Sequence, residues 1–320
     1  MEQLIHDVKK VMDQYGKVVD IRNVNDRPKH INKFIITMSN SRQFFFRIEQ
    51  KQDNSSMCFA IEEWIYVHGA PIHKPIALGS FGSGFYRLYE WVEGRKIGDS
   101  YLNTLTKESL YAIGYEVGKT LKAIHNTPPP RFSNKKRITH IFYVFIDLPF
   151  VRKLRELRHI KKFAKDYKKY EVEYGEIKGY KKILSYLVKN PGSLCVSATN
   201  LVVVHGDYSR SNLILTVNGG IVAVDVTPPT RYLGLGDYET ELVYGMRWFY
   251  SFPCVINGIV HGYFMREPTV NEWKRIKAVS LFAICSVINN PTLQKHYDEI
   301  LCAYKALDLL VPEWYSSFTK

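Results

Sequence analysis

Val202-Val203-Val204-His205-Gly206-Asp207-Tyr208-Ser209-Arg210-Ser211-Asn212-Leu213-Ile214-Leu215 holds a short polar stretch between two apolar runs. The runs read as strands, because Val and Ile suit a half-buried pleat, and the polar residues read as the loop between them. Gly219-Gly220 then makes a turn, and Ile221-Val222-Ala223-Val224 is a third apolar run that ends in the carboxylate of Asp225. Asp207, Asn212 and Asp225 converge under this reading. A carboxylate that can orient an attacking hydroxyl and accept its proton, beside an amide oxygen and a second carboxylate that are hard ligands for Mg²⁺, suits phosphoryl transfer.

Upstream the chain changes from strand to helix periodicity and back. Leu4, Val8, Val11 and Met12 recur at helical spacing and stop near Gly16. Val18–Ile21, Phe34–Met38 and Phe44–Ile48 are β-branched and aromatic, with Ser39-Asn40-Ser41 as the turn between the last two. Cys58–His68 returns to helical spacing through Ile61, Trp64 and Ile65, and Gly69-Ala70-Pro71 ends it. A further strand pair follows, its second member Phe85–Val92 closing at Glu93-Gly94. From Thr106 onward the pattern is largely helical, with Leu110, Ile113, Val117, Leu121 and Ile124 on one face before the Pro128-Pro129-Pro130 break, and Lys181–Val188 as a later helix.

Composition sets the outer limits. With 320 residues, 46% of them hydrophobic, the chain is globular rather than disordered. Five widely spaced cysteines, Cys58, Cys195, Cys254, Cys285 and Cys302, suggest neither a zinc cluster nor a disulfide framework, which points to a reducing cytoplasm. The N-terminus lacks the basic-then-apolar pattern of a leader, and no apolar run approaches the roughly 20 residues of a membrane helix, so a soluble protein without a membrane partner is expected. The net charge of +13 is concentrated between Val151 and Asn190, where thirteen Lys or Arg stand against five Asp or Glu. A solvated helical face is the plain reading of that run, and a polyanion-binding surface is the other.

The run His205-Gly206-Asp207-Tyr208-Ser209-Arg210-Ser211-Asn212 resembles the His-x-Asp-x-x-x-x-Asn catalytic loop of aminoglycoside phosphotransferases and related small-molecule kinases, and Ile221–Val226 resembles their metal-binding strand. The resemblance implies an α+β, bilobal protein-kinase-like fold. Its mainly antiparallel β N-lobe with one helix would span residues 1–93, and its mainly helical C-lobe 94–320, with a basic helical insertion at about 130–190. It implies Asp207 as catalytic base and Asn212 and Asp225 as Mg²⁺ ligands. Arg47, in a strand similar to the third strand of kinases, stands where a phosphate-binding lysine is usual. An arginine is a planar fork rather than a point charge, so the geometry would differ. Its acidic partner on the next helix would be Glu62 or Glu63. Leu88–Gly94 resembles the segment joining the lobes, where backbone groups of Glu90 and Val92 would hold the purine. Tyr89 would then be the gatekeeper, with GTP as an alternative donor to ATP. The loop Val24–His30 has no glycine, so its phosphate contacts are unassigned.

Gly236-Asp237-Tyr238-Glu239-Thr240-Glu241-Leu242 is similar to the Gly-Asp-Pro…Asp-Leu segment of the same family, with Tyr238 in place of the usual proline and Asp237 as a helix cap. Eleven residues separate Asp225 from Asp237, which leaves no room for the activation segment of a protein kinase. The expected activity is transfer of the γ-phosphoryl group of ATP or GTP to a hydroxyl of a small molecule. An aminoglycoside or other antibiotic is the first expectation for the acceptor, and a neutral or anionic metabolite, as in choline- or homoserine-kinase-like enzymes, the second. A binding protein using the basic stretch Arg152–Lys169 is the reading from another class, and the intact Asp207, Asn212 and Asp225 weigh against it and against nucleic acid as the partner. Oligomeric state is not legible.

Overall fold

The computed structural model describes residues 2–24, 32–49, 52–82, 84–130, 149–176, 180–189, 201–228, 234–249 and 251–287. Helix α1 (Glu2–Met12) buries Val8 and Met12. The chain then enters β1 (Val18–Asn23), β2 (Asn32–Met38) and β3 (Gln43–Glu49). With β4 (Pro75–Phe81) and β5 (Gly84–Glu90) these form one antiparallel sheet in the order β1-β2-β3-β5-β4. The β2–β3 turn is tight enough to place Ser41 at φ +64°, beside Asn40, whose Oδ1 accepts the Arg42 N–H at 3.1 Å.

Strand alternation gives the sheet two different faces. Phe34, Ile36, Met38, Phe44, Phe46 and Leu88 close on α1 in a small core of their own. Lys33, Ile35, Phe45, Arg47, Arg87 and Tyr89 take the other face, toward α2 (Gln52–Val67) and the cleft. The helix starts six residues before the expected Cys58; its first turn, Gln52-Asp53-Asn54-Ser55, is polar, so the apolar period by which the helix is read from sequence begins only after it.

The second and larger core gathers the helices. Helix α3 (Lys107–His125) is capped by Thr106, whose hydroxyl accepts the Ser109 N–H at 3.3 Å, and it lies directly on a later helix spanning Pro253–Phe264. The two backbones touch: a Cβ at Gly118 would sit 2.0 Å from the Ile259 carbonyl oxygen. Between them in sequence come α4 (Pro149–Tyr174) and α5 (Tyr180–Lys189), joined by Tyr167 stacked on Tyr180 at 4.2 Å. On α4, Ile160, Phe163 and Tyr167 are buried while Lys161, Lys162, Lys165, Lys168 and Lys169 are exposed, so this part of the basic run is a solvated helix face. Of the expected insertion at about 130–190, residues 131–148, 177–179 and 190 lie outside the described residues.

Two small sheets hold the polar loop. β6 (Gly94–Lys96), β8 (Leu213–Thr216) and β9 (Ile221–Ala223) pair antiparallel in the order β6-β8-β9, and β7 (Leu201–Val203) pairs with β10 (Leu235–Asp237). Helices α6 (Tyr238–Met246), α7 (Pro253–Phe264) and α8 (Val270–Val287) follow. No helix among the described residues is long and apolar enough to cross a membrane.

Candidate active site

The loop after β7 is held from behind by a buried carboxylate. Glu241, on α6, accepts the backbone N–H groups of His205 at 3.0 Å and Gly206 at 2.6 Å, and its Oε2 lies 2.8 Å from His125 Nε2. The other ring nitrogen of His125 lies 2.7 Å from the Tyr263 hydroxyl. Burial pushes the Glu241 carboxyl up, but the bond from His125, the nearby histidines and the Gly206 N–H outweigh it and hold the group below its usual range. Gly206 itself has φ +88°, and a Cβ there would stand 2.0 Å from the Thr227 carbonyl oxygen, so the loop can pass only as glycine.

His205 is fully buried and donates from Nε2 to the Val224 carbonyl at 3.0 Å, leaving Nδ1 to accept the Asp207 N–H at 3.3 Å. Burial lowers its pKa, which favours the neutral ring that this pattern requires. The chain then makes a short 3₁₀ turn, Arg210–Asn212, where Asn212 Nδ2 donates to both the main-chain oxygen and Oδ2 of Asp207 at 3.0 Å each. The Val224 N–H donates to the Asn212 carbonyl at 2.8 Å, and this brings the end of β9 alongside the loop. Asp225 follows in the left-handed region at φ +62°, uncommon for a residue other than glycine. Asp207, Asn212 and Asp225 thus come together.

A cavity of about 360 Å³ opens in front of Asn212 and Asp225. Its walls are Ile35 and Phe45 of the sheet, Glu90, Trp91 and Val92 of the connecting segment, Lys96 and Ile214, paired across β6 and β8, and Val224, with Asn212, Asp225 and Lys33 at its polar end. Apolar walls with a polar end fit a flat base and its charged tail. The N–H of Glu90 is spent on the Lys74 carbonyl at 2.9 Å, so the carbonyl is the backbone group Glu90 has to offer.

Arg47 behaves differently from the expectation of a pair with Glu62 or Glu63. Its guanidinium is ion-paired with Asp225 and, at 2.6 Å, with Glu49. Glu62 is fully buried and takes Arg87 at 3.3 Å and the Tyr89 hydroxyl at 2.8 Å, whereas Glu63 is exposed. The reason lies in the sheet register: Lys33, Arg47 and Arg87 are direct cross-strand neighbours on β2, β3 and β5, and α2 packs over β4 and β5, so Arg87 stands between Glu62 and Arg47. Tyr89 also differs from the gatekeeper expectation. Its ring is buried behind His73, stacked at 3.9 Å, and it is His73 that lines the cavity.

On the other side of Asp207 lies a second cavity, of about 340 Å³, lined by Asp207, Asp237, Thr240, Glu241, Tyr244, Arg247 and Trp248 among others. Asp237 caps α6, accepting the Glu239 N–H at 3.0 Å and the Thr240 hydroxyl at 2.9 Å. Glu241, His125, Lys33, Arg87 and Arg247 join the site without being marked as site residues by sequence reasoning. The signal for Glu241 is present only as part of the segment opening α6; the others lie far from the loop in the chain and carry no local pattern.

A β sheet with α1 packed on one face and α2 toward the other, a helical body, and a cleft between them with a His-x-Asp loop define a kinase-like phosphotransferase. The chain belongs to the phosphotransferase enzyme family (APH), whose family model matches residues 29–273. It is by that membership a phosphotransferase acting on hydroxyl groups. No curated protein matches it significantly in sequence. Among solved structures it is similar to a thermostable mutant of the aminoglycoside phosphotransferase APH(4)-Ia in ternary complex with ADP and hygromycin B (16% identity, 96% of this chain and 99% of that one, TM-score 0.54). It is also similar to the amicoumacin kinase hAmiN in complex with AMP-PNP, Ca²⁺ and Ami (11% identity, 100% of both chains, TM-score 0.53). A third is ADP-bound APH(2″)-Ib (14% identity, 98% and 99% covered, TM-score 0.52). At these identities the likeness speaks for the fold.

Proposed function

We propose that the chain transfers the γ-phosphoryl group of ATP or GTP, seated in the first cavity, to a hydroxyl of a small molecule seated in the second, with Asp207 as the base between them. The observation that carries this reading is the setting of Asp207. Its Oδ2 is fixed by Asn212, which lines the first cavity, while Asp207 itself lines the second and its Oδ1 accepts no hydrogen bond from the described residues. An oriented carboxylate lining the acceptor cavity, with one oxygen that no described donor takes, can receive a hydroxyl proton as the oxygen attacks phosphorus.

The donor set at the polar end of the first cavity fits Mg²⁺. Asn212 Oδ1 and the Asp225 carboxylate are hard oxygens, and no cluster of three or more His, Cys, Asp or Glu stands among the described residues. Few protein ligands suit Mg²⁺, which keeps waters and takes phosphate oxygens. When bound it would neutralise charge on the phosphates. Without nucleotide, Arg47 and Lys33 pair with the Asp225 carboxylate from the sheet side, Lys33 Nζ at 3.8 Å from Oδ2. Glu90 and Val92 border the base end.

An antibiotic hydroxyl remains the first reading of the acceptor from the family. The second reading, a neutral or anionic metabolite, gains from the cavity: among its described carboxylates Glu241 is occupied by three donors and Asp237 by the helix cap, which leaves Asp207 to meet a polycation. The test of the activity is Asp207→Asn. Nucleotide binding, read as thermal stabilisation by ATP or GTP with Mg²⁺, should persist, while turnover falls by about 10²- to 10⁴-fold. Equal loss of binding and turnover would remove Asp207 from the role of base.

A further inference from the structure

We propose that the acceptor carries an oxyanion, a carboxylate or a phosphate ester, and that Arg247 in the second cavity anchors it; the inference rests on reading that cavity as the acceptor site. Arg247 opens the 3₁₀ turn Arg247–Phe249 that follows α6, and Phe249 is fully buried, so the turn is pinned to the core. The guanidinium carbon lies 4.5 Å from the centre of the Tyr244 ring and 4.9 Å from that of Trp248. Both rings are large aromatic surfaces left 38% and 39% exposed at the cavity. Faces of aromatic rings hold a guanidinium by its charge and its plane and leave its N–H edge free, and that edge matches a planar or tetrahedral oxyanion through paired hydrogen bonds.

Among the described residues no carboxylate lies within ion-pair distance of Arg247. Carboxylates are nonetheless close by. Asp207, Asp237 and Glu241 line the same cavity, and each is committed: Asp207 to Asn212, Asp237 to the N-terminus of α6, and Glu241 to the His205 and Gly206 N–H groups and to His125. A polycation in this space would meet a guanidinium that no described carboxylate pairs, and one Asp207 oxygen that no described donor takes. An acceptor with a hydroxyl for Asp207 and an oxyanion for Arg247 satisfies both groups at once, and a cavity of about 340 Å³ admits a small molecule of that kind.

The test uses the full chain with Mg²⁺ and whichever of ATP or GTP stabilises it. Nucleoside diphosphate release above basal hydrolysis is measured with hydroxylated carboxylates (glycerate, gluconate), hydroxylated phosphate esters (glycerol 3-phosphate, sorbitol 6-phosphate) and hydroxylated amines (kanamycin, hygromycin B). The expected result is stimulation by at least one anionic set, with Arg247→Gln raising KM for that acceptor at least tenfold, kcat changing less, and Arg247→Lys recovering part of the loss. Which anionic set responds separates carboxylate from phosphate. Stimulation by the amines alone, absence of stimulation by every anionic compound, or an anionic acceptor whose KM ignores Arg247→Gln each overturns the proposal. Failure of the underlying reading has a different signature: no nucleotide stabilisation, and no hydrolysis that Asp207→Asn abolishes.

Discussion

Replacing Glu241 tests whether the loop geometry depends on a single buried carboxylate. Glu241→Ala removes the acceptor for two backbone N–H groups and for His125 Nε2, all inside the protein. Each stranded donor costs about 1–3 kcal/mol, so a loss of roughly 3–5 kcal/mol is expected for the three together. That is a large share of the ~5–15 kcal/mol that holds a domain together. Glu241→Gln keeps one acceptor oxygen and should lose about half as much. Urea unfolding followed by far-UV circular dichroism reads both, with Asp99→Asn, at an exposed ion pair to Arg210, as a control expected within about 0.5 kcal/mol of the wild type. The pH arm has a definite sign. The folded-state pKa of Glu241 is depressed, so its contribution is present above the unfolded value of about 4.3 and is lost as pH falls through the folded value. His205 is depressed too, by burial, so a separate loss sets in as pH falls below about 6.5. Glu241→Gln should keep the second loss and lack the first. A cost under about 1 kcal/mol for Glu241→Ala would refute the claim that this carboxylate holds the loop.

Two further perturbations address the first cavity. Lys33→Met removes a cation that faces Asp225 and stands opposite Arg47, and calorimetric titration with AMP-PNP and Mg²⁺ should show binding weakened about tenfold, with a shallower salt dependence; unchanged affinity and salt slope would place the phosphates elsewhere. Tyr89→Phe deletes the hydrogen bond to Glu62 and should cost about 1–3 kcal/mol in thermal or urea unfolding while leaving the ratio of ATP to GTP affinity unchanged, because the ring lies behind His73. A reversal of that ratio would restore Tyr89 as the residue that selects the base.

Contiguity decides what can be read from the chain. Residues 202–225 carry strand, loop, turn and strand in an unbroken order, and the three polar side chains at their ends have no other way to lie than together once the strands pair. The sheet is equally legible, since Phe34, Ile36 and Met38 alternate with partners on β3 that do the same. Glu241 and His125 are not, because 116 positions separate them and nothing local marks either as part of a loop support. The expected partner of Arg47 differs for a related reason: sequence spacing places Glu62 and Glu63 on the next helix but says nothing of which strand that helix covers. Arg87 on β5, facing α2, takes the carboxylate first.

The charge on that rung explains why the first cavity needs groups from both sides of the cleft. Lys33, Arg47 and Arg87 lie side by side, and like charges directly opposite one another on a sheet repel. Glu49 bridges Arg47 and Arg87, and Glu62 answers Arg87 from the helix, so the sheet and α2 supply these two carboxylates to a rung of three cations. The third carboxylate is Asp225, which comes from the end of β9 across the cleft. Lys33 and Arg47 therefore present positive charge toward the same point at which Asp225 and Asn212 present oxygen. A nucleotide's phosphates are anions that can take the place of Asp225 against the two cations, and their charge calls in turn for a divalent ion beside the carboxylate so displaced. Phosphate and cation should then each favour the binding of the other, because neither alone leaves the rung and Asp225 both neutralised.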